Sequence, residues 1–496
     1  MEAARQSQSK PAPGFFARQT PRLPVLVALA AGLALRLWML HGLFAPNGDS
    51  LVYGDIAKNL LLHGRYALSA GNGELHSTLI RLPGYPLFLA LCFRLFGMEN
   101  YASAVYAQIT LALAGCLLLA DFAGRIAPLR LRSGAAHCTL WLAALCPFTA
   151  VYDVAPLTEG PTLFVIALAL WSLARFRDRP GWGCALAFTF AVTFAALLRP
   201  DGVLVALALA PALLIGLKRG AGDGAIPNKK LASMATVCVL LALMPFVLWT
   251  HRNWQVFHVF EPLAPRSAND PGEDAYPGWE RWVKSWCLDF TSTYDIYWNV
   301  PDGPLDLTKL PARAFDSPAQ SAQTDALAAD YNARMELTRS LDARFAKLAG
   351  ERIASHPLRF YLWLPLGRMA DMWLRPRVEN LPIDLDWWAY ENHHEETIFS
   401  WAYAGLNALY LLFAAAGLWL RPRFWRPMLA YMLLRSALLT SVAAPETRYT
   451  MECFPMLFAL GGVAAWEAFC RIWALSNRLG SRRSPDRDRG LPSRLG

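Results

Sequence analysis

A chain of 496 residues that is 55% hydrophobic and only 17% charged is too poor in charge for an ordinary soluble protein, whose domains carry about a quarter charged residues. The composition excludes a soluble enzyme and places the chain in a membrane. The net charge of +9 reads as a topology signal from helix ends, not as affinity for nucleic acid. Nine cysteines with no C-x-x-C pair argue against a disulfide framework or a cysteine zinc site.

The predicted elements, taken in chain order, are apolar windows of membrane-spanning length. They lie at 23–43, 101–122, 136–152, 159–176, 182–198, 202–217, 231–250, 398–420, 425–443 and 450–472. The expected fold class is therefore an all-α integral membrane protein. It is a polytopic helical bundle of about ten transmembrane helices, with eleven or twelve as the upper bound. The run from Leu23 to Leu40 is long, lacks a small-residue cleavage site and is followed by many more spans, so it reads as an uncleaved anchor. The runs 50–63 and 84–97 are amphipathic and short, as expected of interfacial helices. The stretch 357–375 carries Arg359, Arg368, Asp371 and Arg375 and reads as a further interfacial helix.

Orientation follows from Lys and Arg. With the N-terminus inside, the inner segments hold Arg5, Lys10, Arg18 and Arg22, then Arg125, Arg130 and Arg132, then Arg175, Arg177 and Arg179. Lys218, Arg219, Lys229 and Lys230 follow, then Arg421, Arg423 and Arg426, then the tail "RRSPDRDR". The division expected is a cytoplasmic disordered tail 1–22, an N-terminal membrane domain 23–250 with a first outer loop 44–100, and a large, mostly helical outer segment 251–397. A C-terminal membrane domain 398–473 and a disordered cytoplasmic tail 474–496 complete it. Within the outer segment Leu327, Tyr331, Met335, Leu341, Phe345 and Leu348 recur at helical spacing, giving a helix stopped by Pro357.

Under this topology one face collects Asp49 and Asp55 of "NGDSLVYGDIAKNLLLHGRY", Arg81 of "RLPGYP", and Asp153 and Glu159 of "YDVAPLTEGP". It adds Arg199 of "LLRPDG", Arg252 of "HRNW", and Glu446, Arg448 and Tyr449 of "APETRY". Charge at a membrane boundary is costly and marks a site or a water-filled cavity. Arginines beside acids there suit a phosphate-bearing lipid, because guanidinium grips phosphate in a bidentate way. Each residue also has a plainer reading. Asp49 suits an N-cap as well as a catalytic acid, Asp55 a solvated or salt-bridged position, and Arg81 and Arg199 snorkelling anchors. Arg36 reads as structural. "ENHHEE" at 391–396 reads as a solvated loop before a metal site, since adjacent His393 and His394 point apart on regular elements. "KRGAGDGAIPNKK" lacks the strand and G-K-[ST] of a phosphate loop.

Taken in order, these residues resemble the polytopic glycosyltransferases of the GT-C superfamily. The likeness is to the family 39-like bacterial proteins that include protein O-mannosyltransferases and lipid A aminoarabinose transferases. The matching features are Asp49, Tyr53, Ala57 and Gly64–Tyr66, then Arg81 before "PGYPLFLALCFRLFG", whose Tyr85 falls in the PGYP motif. Asp153, "LLRPDG", "HRNW" and "PETRY" follow in order over about residues 23–475. Ser50 follows Asp49 where several relatives carry Glu, leaving a single acid there.

The resemblance implies transfer of a sugar from a polyprenyl-phosphate-linked donor to an acceptor on the outer, periplasmic face of the bacterial inner membrane, with inversion. It implies that Asp49 takes the acceptor proton or orients the acceptor, and that Asp153 is a second acid on the acceptor side or a ligand of a divalent metal. Arg81, Arg199 and Arg448 would neutralise the leaving phosphate, with Tyr53, Asp55, Tyr85, Glu159, Glu446 and Tyr449 in support. It requires no cofactor and leaves room for a divalent metal. Expected partners are the lipid donor, membrane lipids and an acceptor that is lipid A, another glycan, a protein or a lipid; nucleic acid is not among them. The competing classes are a lipid or solute transporter, which would place charge at the bilayer midplane and show internal pseudo-symmetry, and a non-catalytic envelope assembly protein.

Overall fold

The computed structural model describes residues 22–46, 48–219, 228–265, 269–301 and 303–481. Among them the chain is a helical bundle whose β-structure is one short hairpin. Most of the tails 1–22 and 474–496, and the centre of the glycine–lysine loop, lie outside the described residues.

The first membrane helix α1 (Arg22–Leu43) leads into α2 (Asp49–His63), the hairpin β1 (Ala67–Ser69) and β2 (Leu75–Ser77), and α3 (Gly84–Phe96). The hairpin is antiparallel, with Ala67 opposite Ser77 and Ser69 opposite Leu75. Then come α4 (Tyr101–Ile126), α5 (Arg132–Ala144), α6 (Pro147–Asp153), α7 (Glu159–Asp178), α8 (Trp182–Leu198), α9 (Val203–Arg219) and α10 (Asn228–Phe257). The outer segment supplies α11 (Pro277–Lys284), α12 (Phe290–Ser292), α13 (Pro318–Arg334), α14 (Arg339–Ser355) and α15 (Leu364–Leu374). The chain returns to the bundle through α16 (His394–Trp419), α17 (Trp425–Leu439) and α18 (Phe454–Ser481).

Every one of the ten apolar windows falls on helix, but they are not equal as spans. Among the described residues six stretches are long and apolar enough to cross a bilayer: α1, α4, α7, most of α10, α16 and Thr447–Asn477. A seventh is the pair Leu129–Ala144 and Pro147–Asp153, bent by 55°. Pro147 causes the bend, because it has no N–H to continue the ladder from α5. Helices α8, α9 and α17 have 17, 17 and 15 residues. They rise only about 23–26 Å, short of an apolar layer of about 30 Å. Helix α18 continues to Ser481, so residues 474–481 are helical and not the start of a disordered tail.

Packing runs through α4 against α5 and α7, and α18 against α5 and α16. Small residues permit the closest approaches. At Gly417 an added Cβ would lie 2.2 Å from the Leu460 carbonyl oxygen, and at Gly84 it would lie 2.6 Å from the Leu197 carbonyl oxygen. The second contact seats the start of α3 on the end of α8, directly beside Arg81 and Arg199. Gly84→Val forces those backbones apart and is expected to cost about 1–3 kcal/mol, read as a lower thermal unfolding midpoint in detergent. Leu240, Leu243, Val247 and Leu248 of α10 are exposed, as suits a lipid-facing surface.

The outer segment has its own apolar core, including Trp282, Trp286, Tyr331, Leu341 and Phe345. The Asp342 carboxylate accepts from the backbone N–H of Gly278 at 3.0 Å and Trp279 at 2.8 Å, satisfying donors left open at the start of α11. The single helix expected over 327–348 is two helices. Met335 takes a left-handed conformation, φ 52°, and the six-residue gap from Met335 to Leu341 marks the break. Around α15, Leu358, Tyr361, Leu362, Trp363 and Leu366 are exposed while Leu364, Arg368 and Met372 are buried, the two faces of an amphipathic segment.

Candidate active site

The ends of several helices on one side of the bundle and the last loop enclose a cavity of about 1260 Å³. Its chemistry starts at α2. Gly48 precedes α2 with φ 48° and no side-chain cap forms, so Asp49 is the first helical residue and not the N-cap. Its carboxylate is therefore free to reach across: Arg81 Nη2 lies 2.7 Å from Asp49 Oδ1 and Arg448 Nη1 3.6 Å from Oδ2. The hairpin loop holds Arg81 in place. Arg252 donates to the carbonyls of Thr78 and Tyr66, each at 2.8 Å, and the Tyr66 hydroxyl donates to the Arg81 carbonyl at 3.0 Å. The Arg81 guanidinium lies 5.7 Å from the Tyr53 ring centre.

On the other side of Arg448, Glu159, the first residue of α7, receives Arg199 at 2.9 Å, with Arg448 3.9 Å away. Arg199 continues to Glu452 at 2.9 Å and Asp201 at 3.5 Å. Arg435, fully buried in α17, joins Asp201 and Glu452, each at 2.5 Å. Arg448 pairs with Glu446 at 2.5 Å, and the Tyr449 hydroxyl donates to the same Glu446 carboxylate. Arginines and acids thus alternate along one network at the cavity, with Asp49, Glu159, Asp201, Arg199 and Arg448 each facing more than one partner, as desolvated charge requires. Burial pushes the Asp49 carboxyl up, but Arg81, Arg448 and Arg199 outweigh it and hold it below its ordinary value.

Of the residues to which the resemblance gives a site role, eight line this cavity: Asp49, Tyr53, Arg81, Glu159, Arg199, Glu446, Arg448 and Tyr449. Three do not. Asp153 is turned away, its Oδ2 2.9 Å from both Nε and Nη2 of Arg36. Arg36 also donates to the Ala144 carbonyl at 2.8 Å, closing the C-terminal end of α5 at the bend. Asp153 is thus bound to Arg36 outside the cavity lining, and Glu159 is the acid that reaches the cavity from that loop. Asp55 accepts from the Ser69 N–H at 2.6 Å and the Ser69 hydroxyl at 2.9 Å, fixing the hairpin to α2. Tyr85 is buried behind Tyr53 and donates to Gln108 Oε1 at 2.6 Å.

Sequence reasoning passed over Asp201, Glu379, Arg435 and Glu452. Arg435 and Glu452 are charges inside apolar windows, a signal that was present. Asp201 stands in "LLRPDG" two residues after Arg199, where Pro and Gly mark a turn as readily as a site. Glu379 carries no motif.

Asp49, Glu159, Asp201 and Glu446 in the cavity lining are each paired with guanidinium groups, a donor set that does not favour a divalent cation. Among the described residues the three-ligand group is Asp384, His393 and Glu396, outside the cavity lining. His393 there sits between carboxylates, 3.3 Å from Asp384 and 3.2 Å from Asp386, while His394 faces Tyr390 instead.

No protein-family model matches the chain, and no curated protein matches it significantly. Among solved structures it is similar to ArnT from Cupriavidus metallidurans bound to undecaprenyl phosphate, with 17% identity over 94% of this chain and 82% of that chain and a TM-score of 0.39. It is similar also to the apo state of the same protein, with 14% identity, coverage of 89% and 76%, and a TM-score of 0.36.

Proposed function

We propose that the chain is a GT-C-type membrane glycosyltransferase that moves a sugar from a polyprenyl-phosphate donor to an acceptor on the outer face of the bacterial inner membrane, with both termini cytoplasmic. The observation that carries the reading is the convergence of Arg81, Arg199 and Arg448 on one cavity with Asp49 and Glu159 between them. Three guanidinium groups at the outer ends of membrane helices suit a lipid-borne phosphate. Each is paired with a carboxylate, so an arriving phosphate takes over bonds that the carboxylates hold.

In this reading the acceptor hydroxyl attacks the anomeric carbon from the side opposite the phosphate, and the configuration inverts. Charge grows on the leaving phosphate as its bond to the sugar breaks, and the arginines stabilise it there. Asp49 contacts the acceptor and is the candidate, from its position, for taking or steering its proton. Glu446 and Tyr449 hold Arg448, and Tyr53 backs Arg81. The outer segment recognises the acceptor.

The test is retention of radiolabelled polyprenyl-phosphate hexose and pentose by the purified protein in lipid nanodiscs. Arg81→Ala and Arg448→Ala are each expected to weaken retention about tenfold or more, as the loss of a charged hydrogen bond worth about 1.5–3 kcal/mol requires. Retention unchanged in both variants would remove the phosphate from these arginines.

A further inference from the structure

We infer that the acceptor's proton passes to Glu379, a residue of the loop between α15 and α16, while Asp49 orients the acceptor. This rests on the proposed function and deepens it. Glu379 lines the cavity, and its side chain is only 6% exposed. Its two oxygens differ. Oε2 accepts from the Thr447 hydroxyl at 2.8 Å. Oε1 has no hydrogen-bond partner, and the nearest cation, Arg375 Nε, stands 3.6 Å away. A buried carboxylate oxygen without a donor is costly and has capacity for one proton. Asp49 and Glu379 line the same cavity and meet adjacent residues of one turn, since Thr447 holds Glu379 while Arg448 faces Asp49.

The two acids have opposite surroundings. Arg81 and Arg448 hold Asp49 in its ionised form, which makes it a good anchor and a poor base. Burial raises Glu379, and its bonds and its neighbours Arg375 and Arg377 only partly offset this. Asp371 from α15 also faces Glu379 and favours the same direction, and the phenols of Tyr152 from α6 and Tyr403 from α16 stand near it. A base held above its ordinary value is the better proton acceptor. The step balances. The acceptor oxygen forms its bond to the anomeric carbon, the bond from that carbon to the phosphate oxygen breaks with its electron pair leaving on phosphate, and the hydroxyl proton ends on Glu379 Oε1.

The experiment uses the full chain in membranes and in nanodiscs, with radiolabelled polyprenyl-phosphate hexose and pentose as donors and native membrane components as acceptors. Glu379→Gln is expected to retain donor as the unmutated protein does, yet to transfer label about 10²–10⁴-fold more slowly. Glu379 must be ionised to act, so wild-type transfer falls as pH drops through its raised value, about tenfold per unit below it. That acid limb is expected to be absent from the residual transfer of Glu379→Gln and displaced in Glu379→Asp. Thr447→Val removes a bond to the charged form and is expected to move the limb to higher pH. A merely structural role would lower the rate without moving the limb. Full transfer by Glu379→Gln, an unmoved limb in these variants, or lost donor retention in Glu379→Gln each overturns the inference. Failure of the unmutated protein to retain donor overturns the proposed function instead.

Discussion

Asp49→Asn is expected to insert, fold and unfold thermally much as the unmutated protein does, and to lose sugar transfer by about 10²-fold or more, the scale set by misplacing a reactant by an ångström. Asn keeps the shape and can still accept one hydrogen bond from Arg81. It withdraws the negative charge that balances Arg81 at 2.7 Å and Arg448 at 3.6 Å. The side chain is about a third exposed, 32%, so its part in folding is screened and small. The sign of its pH dependence follows from its depressed value. The stabilisation it gives is present above the ordinary carboxylate range and is lost only as pH falls through the lower folded value. Transfer measured from neutral to mildly acid pH should therefore show no limb from Asp49. A transfer rate unchanged by Asp49→Asn contradicts its assignment to the site, and a collapse in folding yield contradicts the claim that its role is chemical.

The largest effect on stability is expected at Arg36. Its guanidinium is 1% exposed and ties α1 to Asp153 and to the end of α5. Arg36→Met leaves the Asp153 carboxylate buried with no counter-charge and frees the Ala144 carbonyl. Breaking one side of a buried pair costs about 3–5 kcal/mol. The double variant Arg36→Met with Asp153→Leu removes both charges and is expected to recover most of that loss, because the remaining penalty is one carbonyl and imperfect packing. Thermal unfolding of the single and double variants in detergent checks this. If Asp153→Leu on the Arg36→Met background gives no recovery, the pair is not the reason for the destabilisation. The double variant is also expected to retain donor, since neither residue lines the cavity.

These two residues show what was legible in the chain and what was not. Asp49, Arg81, Glu159, Arg199 and Arg448 could be picked out because each stands in a short polar segment just beyond an apolar run, where any charge needs a reason. Asp153 looked the same by that criterion. Its partner Arg36 lies 117 positions away, and nothing local reveals that pairing. Arg435 and Glu452 sat inside apolar windows and were absorbed into spans, although charge at such a position is a signal in itself. Glu379 is set by the path of an irregular loop, which no periodicity reports.

The bundle was legible as a set of apolar windows, because a bilayer requires every backbone group to be satisfied within the helix. The shortness of α8, α9 and α17 was not, since flanking residues of similar hydropathy blur where a helix stops. The break at Met335 shows in the sequence only as the six-residue gap to Leu341, because the apolar residues on each side of it keep helical spacing.

The most direct test of the account is a single-turnover assay of the purified full chain in nanodiscs, supplied with radiolabelled polyprenyl-phosphate sugar and extracted envelope acceptors. The account predicts that label leaves the lipid and appears on an acceptor with inverted anomeric configuration, and that Asp49→Asn retains the donor without transferring it. Label that stays on the lipid in the unmutated protein, or moves across the bilayer still attached to it, would contradict a glycosyltransferase.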